Sequence, residues 1–178
     1  MGLILIRHTT PAVKTGVCYG RADLDVAASF ESEADALFEK LPYAELIVSS
    51  PLQRCLKLAE RLSAALSLST TVDPRIAEMD FGAWEELPWS EIPREELDAW
   101  AKDFMHARPH GGESVAMLRA RTLDALAELR AARQPTLVVT HAGVIKAALS
   151  TGDSADHFRT EIGFGEFVVL PPHEEDQS

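Results

Sequence analysis

Short apolar runs alternate with segments of helical periodicity along this chain. Five runs carry the branched and apolar residues typical of strands, at positions 3–6, 46–49, 70–72, 136–140 and 166–170. Helix-like segments separate most of these runs, and such alternation favours parallel βαβ units over an all-β or an all-α fold. We therefore predict an α/β protein, a three-layer α/β/α sandwich with a mostly parallel central sheet.

Helical periodicity predicts five helices. They are expected at residues 30–41, from Pro51 onward, at 97–105, at about 114–131 and at 142–149. The second helix has the clearest start, because Ser50 can cap it and Pro51 suits the first helical position. Ser114 is a suitable cap for the fourth helix.

The organisation of the chain predicts one domain. We find no internal repeat and no long linker, which favours a single domain over residues 1–172. Residues 81–112 differ from the rest because they contain all three tryptophans and several prolines, so we expect a lid or insertion there. Residues 173–178 form an acidic tail that we expect to be disordered.

Composition narrows the class of protein and its location. The 178 residues are 46% hydrophobic and 25% charged, values typical of a soluble globular domain. No apolar run approaches the roughly 20 residues of a membrane-spanning helix, and no signal-peptide pattern is evident, so the cytoplasm is the expected location. Cys18 and Cys55 are too few for a disulfide framework and lack metal-ligand spacing. We expect Cys55 in the core and leave Cys18 undecided.

The net charge of −11 argues against nucleic acid or an anionic membrane as a partner. It still allows a small anionic ligand. Exposed charges farther apart than a Debye length of about 8 Å are largely screened, whereas arginines in direct contact with an anion interact strongly with it.

Candidate chemistry lies where three of the predicted strands end. Arg7 and His8 follow the first strand, Arg54 follows the second after a few residues, and His141 follows the strand at 136–140. If these strands are parallel, their ends share the carboxyl edge of the sheet, where open α/β folds bind ligands. Arg54 then falls in the first turn of a helix, whose free N–H groups favour an anion. Two histidines and two arginines at one edge indicate a pocket for a phosphoryl group, with a histidine as the nucleophile.

Five segments spread along nearly the whole chain resemble the motifs of the histidine phosphatase superfamily, also called phosphoglycerate-mutase-like. They are LIRHT at 5–9, SSPLQRC at 49–55, IAEMDFGAWE at 76–85, HGGES at 110–114 and VTHAGV at 139–144. Each motif alone is weak, but five in the order and spacing of the family are a specific signal. The resemblance implies a metal-independent phosphomonoesterase that works through a phosphohistidine intermediate, with a small phosphorylated metabolite as its partner. Whether the protein forms a homodimer is left open.

The resemblance also implies a catalytic role for five residues. His8 would be the nucleophile that takes the phosphoryl group, while Arg7, Arg54 and His141 would bind it and neutralise its charge. Glu78 would protonate the leaving oxygen and then activate water, which requires a carboxyl pKa raised toward neutrality. No metal or other cofactor is implied, because the arginines and His141 supply the positive charge.

Three further residues are expected at the substrate, and two of them depart from the family pattern. Thr9 stands where glycine is usual, and its hydroxyl can still serve the pocket; Ala142 comes between His141 and Gly143. Arg21 either touches the substrate or is an ordinary exposed loop arginine.

The identity of the acid and the use of the other histidines leave alternatives open. Glu85-Glu86 replaces the common Glu-Gly after Trp84, so another carboxylate near Glu78 could be the acid. The remaining histidines have no metal-like spacing, so we predict no metal site; they are His106, His110, His157 and His173. The tryptophans are expected to pack the core and the lid.

The branch of the superfamily is suggested by residues 18–23 (CYGRAD) together with EMDFGAWE at 78–85. Both resemble α-ribazole phosphatases of cobalamin synthesis, which implies α-ribazole 5′-phosphate as substrate. A broad sugar or nucleotide phosphatase is the alternative. A phosphoglycerate mutase fits less well, because residues 86–110 offer only the separated Arg94 and Arg108 for a substrate carboxylate. A catalytically idle relative that only binds a phosphorylated ligand is disfavoured, because all five catalytic positions are filled.

Overall fold

The computed structural model describes residues 2–171 and contains one five-stranded sheet. The strands are β1 (Leu3–Arg7), β2 (Leu46–Ser49), β3 (Thr70–Val72), β4 (Thr136–Thr140) and β5 (Phe167–Leu170). Their order across the sheet is β3-β2-β4-β1-β5. Strands β1 to β4 run parallel to one another, and only β5 runs antiparallel to its neighbour, β1. The predicted α/β fold with a mostly parallel sheet is confirmed.

Five α-helices accompany the sheet within the described residues. They are α1 (Phe30–Phe38), α2 (Gln53–Leu66), α3 (Arg94–Lys102), α4 (Val115–Ala131) and α5 (Ala142–Leu149). Helices α1 and α2 pack on one face of the sheet, and α4 and α5 on the other. Short 3₁₀ turns at Pro74–Ile76, Gly82–Trp84, Trp89–Glu91 and Ala155–Phe158 shape the connections.

Strand residues alternate between two apolar cores, one on each face of the sheet. Ile4 and Ile6 of β1 face α1 and α2, whereas Leu3 and Leu5 face α4 and α5. Both faces are therefore buried, which explains why the central strands are continuous apolar runs rather than alternating ones. Cys55 is fully buried in the first of these cores, as predicted.

The start of α2 differs from the prediction. Ser50 does not cap the helix and Pro51 is not its first residue, because the helix begins at Gln53 and has Leu52 at its N-cap without a side-chain bond. The Ser50 hydroxyl instead lies 2.8 Å from the imidazole Nε2 of His141. Asp23, from the loop between β1 and α1, accepts the Gln53 N–H at 2.7 Å and so satisfies a free donor of the first turn.

Other helix boundaries shift for identifiable reasons. Helix α1 ends at Phe38 rather than near residue 41, because the turn before Pro42 tightens to 3₁₀-type hydrogen bonds. Helix α3 begins after Pro93 and ends at Lys102, since Asp103 leaves the helical region with φ −133°. Ser114 caps α4 as predicted, accepting the N–H of Met117 at 3.2 Å.

Residues 81–112 pack around an aromatic cluster beside the main core. Trp84 is 1% exposed and contacts Trp89, Trp100 and His110 edge to face. Cys18 is buried in this cluster, which raises the pKa of its thiol to about 12. The predicted packing role holds for Trp84, whereas Trp89 and Trp100 are only partly buried. The acidic tail at 173–178 lies outside the described residues, and none of the helices described is long and apolar enough to cross a membrane.

Candidate active site

The carboxyl ends of β1, β2 and β4 bring the predicted residues together. Strands β1 and β4 pair with Arg7 opposite Thr140, so His8 and His141, the next residues, emerge side by side. Their ring centroids are 5.2 Å apart. Arg54 reaches the same point from the first turn of α2, as the sequence predicts.

Two neighbours determine which nitrogen of His8 carries the proton. Its Nδ1 lies 2.7 Å from the carbonyl oxygen of Thr9, which can only accept, so Nδ1 is the donor. The Nε–H of Arg54 points at Nε2 from 3.3 Å, so Nε2 is an acceptor. The lone pair of His8 is therefore on Nε2.

The surroundings also keep His8 neutral. The residue is 2% exposed. Burial, and secondarily the positive charge of Arg54, lowers the pKa of His8 to about 3. At neutral pH the imidazole is uncharged, and the Nε2 lone pair is available as a nucleophile.

Arg54 is held rigidly although it is charged and fully buried. Its terminal nitrogens donate to the carbonyl oxygens of Ala22 at 2.8 Å and Gly20 at 2.7 Å. The Tyr19 ring lies 5.3 Å from the guanidinium carbon. Loop 19–22 therefore presents Arg54 to His8 in one orientation.

Arg7 retains an unused donor. One terminal nitrogen donates to the carbonyl oxygen of Ile162 at 2.6 Å, and the guanidinium stacks over Phe164 with 3.8 Å to the ring centroid. Its Nε is buried and has no hydrogen-bond partner among the described residues, and the same holds for the hydroxyl of Thr9. Unpaired buried polar groups are rare in folded proteins, so two of them on residues flanking His8 fit a site that takes an anion.

The His141 ring is held in place by contacts with α2 and with the β2–α2 turn. Its Nε2 lies 2.8 Å from the Ser50 hydroxyl and 3.4 Å from the Cys55 sulfur. Burial, together with the nearby His8 and Arg54, lowers the pKa of His141 well below its ordinary value. With only protein groups around it the ring is neutral, and a dianion at the site would raise that pKa.

Glu78 lies in the segment between β3 and α3, which the Thr140 hydroxyl anchors through the carbonyl oxygen of Ile76. One carboxylate oxygen accepts the N–H of Met79 at 2.9 Å, and the other accepts the N–H of Gly143 at 3.1 Å. The approach to α5 is close, because a Cβ on Gly143 would lie 2.2 Å from the carboxylate. Gly143 is thus needed for Glu78 to sit where it does.

The neighbouring glutamates are placed differently. The carboxylate of Glu85 accepts backbone N–H groups of residues 20, 21, 22 and 81, and so ties two loops together. Glu86 is exposed at φ 65°. Of these three carboxylates only Glu78 lines the cavity beside the site.

That cavity has a volume of about 380 Å³ and is lined mostly by apolar side chains, five of which are aromatic. The aromatic ones come from residues 81–112 and from the turn after α5; they are Phe81, Trp89, Trp100, Phe104 and Phe158. Glu78 and Gly143 also line it, and Lys146 of α5 is the one cation among the described residues that line it. It is suited to a flat apolar group that lies next to Glu78.

The predicted substrate residues differ in their placement. Thr9 is buried beside His8. Arg21 is exposed, and its Nε donates to the backbone carbonyl of Glu78 at 2.7 Å. Ala142 begins α5 and, with Arg7 and Lys146, lines a second, more polar depression.

Sequence reasoning missed four residues that support the site: Ser50, Tyr19, Phe164 and Arg121. Ser50 was interpreted as a cap, and nothing in the sequence distinguishes Phe164. Arg121 did carry a signal, because its spacing from Leu118 and Ala125 puts a charge on the inward face of α4.

Comparison with known proteins identifies the family. Residues 3–175 match the histidine phosphatase superfamily (branch 1), and the chain belongs to this superfamily. It is 32% identical over 164 residues to a glucosyl-3-phosphoglycerate phosphatase of Mycobacterium tuberculosis (strain CDC 1551 / Oshkosh), covering 83% of this chain and 73% of that one. It is 29% identical over 176 residues to the adenosylcobalamin/alpha-ribazole phosphatase of Escherichia coli (strain K12), covering 92% and 87%.

A solved structure gives the same result. The alpha-ribazole phosphatase from Shigella flexneri superimposes with a TM-score of 0.86 and 25% identity, over 98% of this chain and 92% of that one. The protein is therefore a phosphatase of the histidine phosphatase superfamily, and its relatives differ in substrate. Among the described residues, no group of three or more His, Cys, Asp and Glu side chains could hold a metal ion.

Proposed function

We propose that this phosphatase is a metal-independent phosphomonoesterase that transfers the phosphoryl group of its substrate to Nε2 of His8. The observation that carries the proposal is the state of His8. The ring is neutral, its proton is on Nδ1, and its lone pair faces the Arg54 guanidinium. A nucleophile oriented beside a group that binds the incoming anion is the arrangement that phosphoryl transfer needs.

In the first step Nε2 of His8 attacks phosphorus and the ester P–O bond breaks. Glu78, in its protonated form, gives its proton to the leaving oxygen, which departs as an alcohol. A phosphoryl dianion next to Glu78 favours that protonated form, because a second negative charge beside it would be repelled.

In the second step water hydrolyses the phosphohistidine. The Glu78 carboxylate takes a proton from the water as its oxygen attacks phosphorus, and the P–N bond breaks to return neutral His8. Glu78 is then protonated again, so the cycle closes without an external acid.

Charge on the transferring group is stabilised by Arg7, Arg54 and His141. The buried Nε of Arg7 has no protein partner within the described residues and is ready to donate to a phosphoryl oxygen. Arg54 is oriented by two carbonyl oxygens and needs no rearrangement to act. Preorganised donors of this kind are usually the largest single contribution to catalysis.

For the leaving group we favour α-ribazole, and hence α-ribazole 5′-phosphate as the substrate. The aromatic cavity supports this choice, because it suits a flat, uncharged heteroaromatic group stacked between rings. The Escherichia coli relative bears the corresponding name. In this proposal residues 81–112 act as a lid inserted into a single domain, since they supply four of the five aromatic side chains.

A phosphorylated sugar acid is the second candidate. Lys146 at the cavity is a cation for which no ion pair is found among the described residues, and it could bind a carboxylate; the Mycobacterium tuberculosis relative is named for such a substrate. A mutase is less well supported. Arg94 pairs with Asp98, Arg108 binds backbone carbonyls, and neither lines the cavity.

The experiment is phosphate release by the purified protein, with chelator present, across a panel of substrates. The panel contains α-ribazole 5′-phosphate, a phosphoglycerate, nucleoside monophosphates and p-nitrophenyl phosphate. We expect the highest kcat/KM for α-ribazole 5′-phosphate. A higher kcat/KM for the phosphoglycerate would instead favour a phosphorylated sugar acid as the substrate. Binding of every compound without turnover would indicate a catalytically idle protein and contradict the proposal.

A further inference from the structure

Arg121 is a nearly buried arginine that does not line the cavity. It lies on α4, with 17% of its side chain exposed. Its guanidinium forms a bidentate ion pair with Glu113, with N–O distances of 2.6 and 2.9 Å. Glu113 is only 10% exposed in its side chain, so the pair is shielded from water and has a fixed geometry.

The remaining donors of Arg121 hold the backbone that carries Glu78. One terminal nitrogen donates to the carbonyl oxygens of Arg75 and Ala77, at 2.6 Å each. The other donates to the carbonyl oxygen of Glu78 itself, at 3.1 Å. Three carbonyl groups of one loop are thus bound to a single side chain.

Glu113 binds the same loop from its other end. Its carboxylate accepts the N–H of Asp80 at 3.3 Å, and its own N–H donates to the carbonyl oxygen of Asp80 at 2.8 Å. Arg121 and Glu113 together form a clamp on residues 75–80. Residues 77–80 belong to no helix or strand, so the clamp and a few loop contacts replace the hydrogen bonds of a regular element.

We propose that Arg121, oriented by Glu113, is the positioning residue for the general acid. The clamp fixes the Glu78 backbone, and the carboxyl group therefore stays over the oxygen of the departing alcohol. This inference rests on the proposed role of Glu78. It assigns Arg121 no contact with the substrate.

A misplaced general acid has a kinetic signature. Help from a general acid matters most when the leaving oxygen is basic, and little when the leaving group is a stable anion such as p-nitrophenolate. A displaced Glu78 therefore costs more activity for poor leaving groups than for good ones. A general loss of structure or of phosphate binding lowers activity for all leaving groups alike.

The test uses Arg121→Lys and Glu113→Gln with a series of substituted phenyl phosphates. These substrates differ little in shape but differ in the basicity of the phenolate. The quantity is kcat/KM, which reports the steps up to formation of the phosphoenzyme and is independent of its hydrolysis. We expect both variants to lose about 10-fold more activity with phenyl phosphate than with p-nitrophenyl phosphate, within the range that a general acid contributes.

Arg75→Lys is the matched control. The Arg75 side chain pairs with Asp73, Asp124 and Glu128, so it joins the same loop to α4, but it makes no bond to residues 77–80. We expect the kcat/KM of this variant to fall by the same factor for every substituted phenyl phosphate, or not to fall at all. A uniform loss in folded Arg121→Lys, or one that matches Arg75→Lys, overturns the inference. Glu113→Gln tests the same claim with a nearly isosteric side chain if Arg121→Lys fails to fold.

Glu78→Gln separates this inference from the proposed function. This variant should make kcat/KM depend more steeply on the basicity of the leaving group than either Arg121→Lys or Glu113→Gln does. If Glu78→Gln leaves the dependence unchanged, Glu78 is not the acid and the proposed function is wrong at that point. If Glu78→Gln steepens it and the clamp variants do not, only the role of Arg121 is wrong.

Discussion

The Nε–H of Arg54 and the Nε2 of His8 face each other at 3.3 Å, and both side chains are buried. The contact joins His8, the proposed nucleophile, to a cation that also disfavours protonation of its ring. A nucleophile and an anion-binding group in direct contact let one incoming phosphoryl group engage both at once.

Replacing Arg54 should change both the titration and the activity of His8. In Arg54→Gln we expect the pKa of His8 to rise, because a positive charge that lowers it is removed, yet to stay below 6.5, because burial is the larger cause. The loss of a preorganised donor should lower kcat by about 100- to 1,000-fold. NMR titration of His8 and steady-state kinetics test these expectations. An unchanged or lower pKa would contradict the electrostatic account.

The contact between Glu78 and Gly143 predicts a defect without loss of folding. A Cβ at 143 would lie 2.2 Å from the Glu78 carboxylate, so Gly143→Ala must displace it. Alanine is the better helix former by about 1 kcal/mol, so unfolding by urea should show no destabilisation from α5 itself. Activity on phenyl phosphate should fall by at least about 10-fold, while the loss on p-nitrophenyl phosphate stays small.

Val144→Ala is the control for Gly143→Ala. It shortens the next side chain of α5, which is buried in the core. Here stability should decrease and the preference among leaving groups should not change. If Gly143→Ala behaves like this control, the contact with Glu78 has no bearing on catalysis.

Phe164 should determine how tightly the site holds an anion. Its ring lies under the Arg7 guanidinium at 3.8 Å and 5.7 Å from the His8 ring. Cation–π contacts contribute roughly 0.5–2 kcal/mol, so Phe164→Leu should weaken inhibition by inorganic phosphate by about 2- to 30-fold. Phe164→Tyr preserves the aromatic face and should bind phosphate like the original. Equal affinity in the leucine and tyrosine variants would show that the stacking does not order Arg7.

Buried neutral histidines predict a stability that depends on pH. The pKa of His8 is lowered to about 3, and those of His110 and His141 are also lowered by burial. Below about pH 6.5 the unfolded chain binds protons at these rings that the folded protein does not, so the free energy of unfolding should fall as pH falls. For His8 the loss continues until the pH approaches 3.

Urea denaturation at pH 4.5 and 7 measures this effect. Each such histidine contributes up to about 1.4 kcal/mol per pH unit within its window. In His8→Gln the pH dependence of the free energy of unfolding should be weaker, by the equivalent of about one bound proton. A slope identical to that of the original protein would show that His8 titrates normally in the folded state.

Much of this fold follows from patterns that act locally. Each strand was predicted to within a residue at its ends. For the central strands β1, β2 and β4 the reason is that short apolar runs buried on both faces leave few alternatives. The meeting of His8, Arg54 and His141 followed from parallel strands alone. In contrast, Ser50 is a residue type that often caps helices, but its hydroxyl lies beside His141, and Asp23 from the distant β1–α1 loop accepts the first N–H of α2.

The parts that sequence did not predict depend on contacts between distant segments. Phe164 reaches Arg7 only because β5 runs antiparallel beside β1, which places the segment before β5 at the active edge. Arg21 and Arg121 both donate to the backbone carbonyl oxygen of Glu78, although they lie 57 and 43 positions away from it in the sequence. Hydropathy and spacing do not encode such pairings.

The central claim is that the phosphoryl group passes through Nε2 of His8, and direct detection of that species tests it most directly. The protein would be mixed with a rapidly reacting substrate, quenched in alkali, where phosphohistidine survives, and analysed by peptide mass spectrometry and phosphorus NMR. We predict one phosphoryl group on the peptide that contains His8, bound through Nε2, and none in His8→Asn. Full turnover by a folded His8→Asn variant, or phosphate attached at another residue, would contradict the account.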